Sequence, residues 1–163
     1  MGESASKYHD AAFPDPQMPP EGGKSMTGTY QHTLDAKGRL FIPSKLREEL
    51  GDTFYVTISR EPCLCAYNEA NWQRLCDKAN ELPYSLQSKL RPMFANAAKV
   101  ELDAQGRILL TQTLRDTIRL GREVTVVGTN NHAEFWNKAE WDKVSAIESA
   151  PENIAAVMDE LGF

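Results

Sequence analysis

The spacing of apolar side chains changes period along the chain, and those changes mark its elements. Leu46 and Leu50 stand four apart within 44–50, as Leu114 and Ile118 do within 112–120, so each stretch predicts a short helix with one apolar face. Two runs dense in Val, Thr, Ile and Tyr, 53–59 and 123–128, predict strands. Shorter strands are expected at 29–34, 39–42 and 64–67, and again at 98–102, 107–110 and 133–136. Pro43 restricts the chain ahead of the first short helix, and Gly51 and Gly121 are placed to end the two helices in left-handed conformation. Asn68 and Asn137 are good N-cap residues for two Trp-bearing helices. Pro83 breaks the first of these, 84–93 predicts a further short helix, and Pro151 opens a C-terminal helix that ends near Gly162.

The order is ββαββα, twice, and the side chains repeat with it. Leu34, Asp35, Ala36, Gly38 and Arg39 recur as Leu102, Asp103, Ala104, Gly106 and Arg107, at an offset of 68; Leu46-Arg47 recurs as Leu114-Arg115 at the same offset. Tyr67, Asn68, Ala70 and Trp72 recur as Trp136, Asn137, Ala139 and Trp141 at 69. The chain is therefore two copies of one supersecondary unit. Four short strands and two modest helices are too few to bury their own faces, but two copies about a pseudo-twofold axis can close one barrel-like core. The expected class is α+β, rich in β. Its expected segments are a disordered N-terminal extension (1–25), a first repeat (26–82), a linking helix (83–97), a second repeat (98–145) and a C-terminal helix or tail (146–163).

Composition adds limits. With 163 residues, 41% hydrophobic and 25% charged, the chain has the makeup of a soluble globular protein, and no apolar run approaches the roughly 18 residues of a membrane span. Nothing at its start resembles a secretory signal, so a cytoplasmic protein is expected. The net charge of −5 hides a division: residues 1–26 hold two Lys against four acids, and 145–163 hold four acids and no base, which leaves 16 bases against 15 acids in between. A phosphate-binding face is thus compatible with an acidic total, because local clustering matters more than the sum. Cys63, Cys65 and Cys76 read as reduced, partly buried thiols, and neither a metal nor another cofactor is expected from their spacing.

The candidate chemistry lies in the repeated phrase, LDAKGRLFIP and LDAQGRILLT. Asp35-Ala36-Lys37-Gly38 has the residues of a type I turn followed by a glycine bulge, a three-residue hairpin loop, with Asp35 accepting from backbone N–H groups and Gly38 free to take positive φ. That turn explains the Asp and the Gly but leaves the Arg unexplained. Arg39, held by Asp35, would present a rigid donor fork suited to phosphate or to the N7/O6 edge of guanine, and Arg107 would do the same, oriented by Asp103 and hinged at Gly106. Lys37 adds a charge at the tip of copy one where copy two has Gln105, so copy one is expected to bind phosphate more strongly. The competing explanation is a structural ion pair that only fastens the turn, worth about 0–1 kcal/mol if exposed.

The run TGTYQHTLDAKGRLFIPSKLREELG, with its second copy VELDAQGRILLTQTLRDTIRLG, resembles the MraZ proteins, tandem members of the AbrB/SpoVT swapped-hairpin superfamily, over residues 26 to about 145. The resemblance implies two AbrB-like swapped-hairpin repeats and a DNA-binding transcription factor encoded at the head of a division and cell-wall gene cluster. It implies a homo-oligomeric ring, nucleoid-associated in the cytoplasm, that reads short direct repeats upstream of its own operon. Asp35, Arg39, Asp103 and Arg107 occupy the motif positions. Two departures stand out: the family pattern begins at Met26, and copy two has Leu110-Thr111 where Ile-Pro is common. The alternative class is a non-enzymatic oligomeric structural or protein-interaction module. An enzyme is not expected: His32 faces Val100 in the other copy, His132 faces Cys63 or Leu64, no Ser or Cys sits beside a recognisable base, and no small-molecule substrate is implied.

Overall fold

A computed structural model describes residues 25–163; the extension expected over 1–25 lies, Ser25 apart, outside the described residues. The first repeat runs β1 (Thr29–Thr33), β2 (Arg39–Phe41), α1 (Ser44–Leu50), β3 (Thr53–Ile58), β4 (Cys63–Tyr67) and α2 (Glu69–Asn80). The stretch expected as one short helix is three turns in series: α3 (Tyr84–Gln87), a 3₁₀ segment (Ser88–Leu90) and α4 (Arg91–Ala95). The second repeat follows as β5 (Ala98–Glu101), β6 (Arg107–Leu109), α5 (Gln112–Thr117), β7 (Glu123–Thr129), β8 (His132–Asn137) and α6 (Lys138–Glu148), and α7 (Pro151–Leu161) ends the chain.

The expected caps hold α2 and α6, where Asn68 Oδ1 accepts from Asn71 N at 2.8 Å and Asn137 Oδ1 from Ala139 N at 3.0 Å. Thr111, at the position that departs from the family pattern, caps α5 instead through Oγ1, which accepts from Leu114 N. The expected end of that helix needs correction. It stops at Thr117, and Arg119 (φ 53°), not Gly121, takes the left-handed conformation. In the first copy Gly51 (φ 86°) does follow α1.

Strand pairing exchanges edges between the copies. The six-stranded sheet has the antiparallel order β1-β7-β8-β4-β3-β5, and β2 pairs with β6 in a separate ribbon. Exchanging each strand for its counterpart reverses that order and leaves it unchanged, which is the signature of the pseudo-twofold axis. The axis passes where copy-related residues face each other, at Leu40↔Ile108 in the ribbon and at Cys65↔Glu134 in the central pair β4–β8. The ribbon joins the two sheet edges, because β1 runs through its turn into β2 and β5 through its turn into β6.

One core fills the space between sheet and ribbon. Leu40, Ile42, Ile108 and Leu110 from the ribbon side meet Phe54, Val56, Leu64, Val124, Val126 and Phe135 from the sheet, together with Leu46 and Leu114 from α1 and α5. A second, smaller cluster on the other face of the sheet gathers Cys63, Cys65, Val127 and Trp136 under Trp141 and Val144 of α6. The strands alternate so that odd-numbered residues of β4 and even-numbered residues of β8 share this outer face. Among the described residues no helix is long and apolar enough to cross a membrane.

Candidate nucleic-acid interface

Both turns form with the geometry their residues dictate. Gly38 N donates to Asp35 O and Asp35 N to Arg39 O, each at 3.0 Å; Gly106 N donates to Asp103 O at 3.0 Å and Asp103 N to Arg107 O at 2.8 Å. Gly38 and Gly106 sit at φ 85° and 78°, where a side chain is strained. The hairpin expected around each turn stops there. Beyond the turn β1 gives its ladder to β7 and β2 to β6, so each tip is held by strands of the opposite copy. Ile42 N donates to Gly106 O and Leu110 N to Gly38 O, both at 2.9 Å, which stitches the two turns together.

Asp35 Oδ1 accepts from the backbone of Lys37 and of Arg39 at 2.9 Å, and its Oδ2 accepts from Arg39 Nε at 2.7 Å. Asp103 repeats the pattern with Gln105 N and Arg107 N at 2.9 Å and Arg107 Nε at 3.0 Å. The Arg39 backbone N–H, with its side chain and the Lys37 N–H, holds the Asp35 carboxyl down at about 2 against partial desolvation. Asp103 is lowered in the same way, chiefly by the Arg107 N–H. The two tips also meet: Arg107 Nη1 lies 3.8 Å from Asp35 Oδ2, the oxygen that Arg39 Nε already engages. One carboxylate oxygen thus stands between two guanidiniums.

Arg39 and Arg107 face outward. Leu40 and Ile108 point into the core, while Arg39, Phe41, Arg107 and Leu109 share the ribbon's other face, where Leu109 is 58% exposed. The two Arg side chains are about a third exposed. Arg107 Nη2 reaches Gln105 Oε1 at 3.3 Å, whereas no hydrogen bond engages the Nη atoms of Arg39 among the described residues.

Two further arginines belong to this surface and were missed in the sequence. A Cβ at Gly38 would stand 2.9 Å from the Arg115 guanidinium, and one at Gly106 would collide with Arg47 Nη1. Each glycine therefore also makes room for a helix arginine of the other copy. Arg47 lies over the Phe41 ring at 5.2 Å, and Arg115 donates to Leu110 O and to Gln112 Oε1. The signal was available, since the two arginines match at the same offset as the turns.

A second cluster corrects the expectation that no cysteine neighbours a base. On the outer face of the sheet, Cys63 Sγ, Cys65 Sγ and a Glu134 carboxylate oxygen lie within 4.8 Å of one another, and His132 Nε2 lies 3.0 Å from Glu134 Oε2. The Cys63 hydrogen bond favours the Cys65 thiolate, burial opposes it, and His132 adds to it, so Cys65 is lowered while Cys63 is pushed up. Burial disfavours a charged His132, but hydrogen bonds to Cys65 and Glu134 more than offset it and raise its pKa. His132 itself is a strand residue, as expected, and so is His32, which stacks obliquely on Phe41 at 5.0 Å.

The family model described as "MraZ protein, putative antitoxin-like" matches residues 26–90 and 93–160. A protein of Acetivibrio thermocellus named "Transcriptional regulator MraZ" is 42% identical over 140 residues, covering 83% of this chain and 98% of its own length. Proteins of the same name from Caldicellulosiruptor saccharolyticus and Pediococcus pentosaceus are 40% and 38% identical, over 85% and 82% of this chain.

Proposed function

Because the chain belongs to the MraZ family, we propose that it is a sequence-specific DNA-binding regulator of transcription, acting in the cytoplasm at the nucleoid, and that the paired Asp-x-x-x-Arg turns are its reading head. The observation that carries this is the outward ribbon face, where Arg39 and Arg107 are each steadied by a carboxylate four residues earlier. With Nε committed to the carboxylate, the two Nη groups of Arg39 remain to meet phosphate or the guanine edge, whereas Arg107 must give up its Gln105 contact to offer both of its own. Lys37, Gly38 and Gly106 complete the tips, and Arg47 and Arg115 support them from behind. Copy one is the stronger reader, through Lys37 and the uncommitted Nη groups of Arg39.

A bidentate Arg–guanine contact discriminates by only about 1–3 kcal/mol, so a single chain binds weakly. Several chains in a ring present the same tips repeatedly, and linkage raises avidity by roughly 10²–10⁴ when the target is a set of direct repeats. The target proposed is the DNA upstream of the protein's own gene, at the head of a division and cell-wall cluster. Neither a catalytic step nor a cofactor enters this function. A second reading, a non-enzymatic interaction module, draws on the exposed apolar side chains of α7; self-association through that helix serves either reading.

The test is a fluorescence anisotropy titration against that upstream DNA at two salt concentrations. Arg39→Ala is expected to abolish specific binding with oligomer size and Tm unchanged, and Arg107→Ala to weaken it less. Unchanged binding in Arg39→Ala removes the reading head. Unfolding in Arg39→Ala gives the pair a structural role only.

A further inference from the structure

The outer face of the central strand pair carries a donor set that DNA reading does not use. Cys63 Sγ, Cys65 Sγ and a Glu134 carboxylate oxygen lie within 4.8 Å of one another. His132 Nε2 stands just outside that trio, 3.0 Å from Glu134 Oε2. Two sulfurs, one imidazole nitrogen and one carboxylate oxygen are the ligand types of a tetrahedral zinc site.

Neighbouring groups orient these donors as outer-shell partners orient metal ligands. Trp136 Nε1 donates to Glu134 Oε1 at 2.9 Å, which turns Oε2 toward the cluster. Asn131 Oδ1 lies 2.8 Å from His132 Nδ1, so Nδ1–H can donate there and leave the Nε2 lone pair facing Oε2 and Cys65. Two lone pairs 3.0 Å apart need a positive centre between them, either a proton or a metal ion. A cleft of about 500 Å³, lined by Arg60, Glu61, Lys89 and Met93 among others, opens onto Cys65, His132 and Glu134 and supplies an entry path.

We propose that Cys63, Cys65, His132 and Glu134 form a site for a borderline-soft divalent cation, Zn²⁺ foremost, that clamps β4 of one copy to β8 of the other. At bond lengths of about 2.0–2.3 Å, tetrahedral ligand atoms stand roughly 3.3–3.8 Å apart, so shifts of about an ångström close the trio of Cys63, Cys65 and Glu134, and a larger rotation of the His132 ring brings Nε2 in as the fourth ligand. The cation displaces the protons that the thiols and imidazole now share, and those protons leave to solvent. The site is independent of the DNA-reading turns, which lie at the opposite end of the pseudo-twofold axis.

The experiment titrates the reduced, untagged full-length protein with Co²⁺ as a spectroscopic probe. Expected are one Co²⁺ per chain with a thiolate-to-cobalt charge-transfer band and tetrahedral d–d bands, all displaced by Zn²⁺, and a Tm that rises with Zn²⁺. Cys76→Ser should retain every signal. Cys65→Ser, a near-isosteric change, should diminish the charge-transfer band and remove the Tm rise, and Glu134→Gln should weaken binding at least tenfold. Absence of a charge-transfer band in the unsubstituted protein overturns the proposal regardless of how the variants fold. So does a band that survives Cys65→Ser undiminished or disappears in Cys76→Ser.

Discussion

Asp35 does two jobs with one carboxylate, closing its own turn through Oδ1 and holding Arg39 through Oδ2. Its pKa sits at about 2, below the ordinary 3.8, because those hydrogen bonds favour the ionised form. The folded pKa is depressed, so the stabilisation is fully present above about pH 3.8 and is lost as pH falls through about 2. Carboxyl NMR should place the Asp35 midpoint near 2, and a midpoint at or above 3.8 would remove the ordering role of the Arg39 amide. The Asp, Gly and Arg were legible from their types and from the repeat. What the sequence hid was that Asp35 also approaches Arg107, since that 3.8 Å proximity depends on β2 pairing with β6. Arg47 and Arg115 were hidden for the same reason: each reaches the glycine of the copy to which it does not belong.

Helices and strands were readable one by one because capping and periodicity are local. Asn68 and Asn137 cap the helices they were expected to cap, and α1 spans the expected residues. The early stop of α5 was not readable, because Arg119 rather than the nearby Gly121 takes positive φ. Pairing was not readable from residues either, since a strand's pattern says which face is buried and nothing of its partner. The exchange of edges has an energetic consequence. Leu40 and Ile108 face each other on the axis, fully buried, so Leu40→Ala should cost about 2–5 kcal/mol and lower stability across both repeats together. Urea unfolding followed by Trp fluorescence and by far-UV circular dichroism should give one coincident transition. Two separated transitions would mean that each repeat folds alone.

At the scale of the whole molecule, α7 buries none of its residues, and Ile154, Val157, Leu161 and the terminal Phe163 are all more than half exposed. A terminal helix whose apolar stripe is left exposed among the described residues is suited to hold chains together. Removing 151–163 should therefore lower the oligomer mass measured by light scattering and weaken DNA binding by tenfold or more, with little change in the monomer's Tm. An unchanged mass would assign assembly to another surface. The pseudo-twofold axis carries a different consequence, set by where it crosses β4 and β8. In an assembly of two identical single repeats, whatever residue occupied that crossing would necessarily confront a copy of itself, thiol against thiol or carboxylate against carboxylate. Covalent fusion lifts that constraint, and this chain uses the liberty by setting sulfur on one side and oxygen on the other.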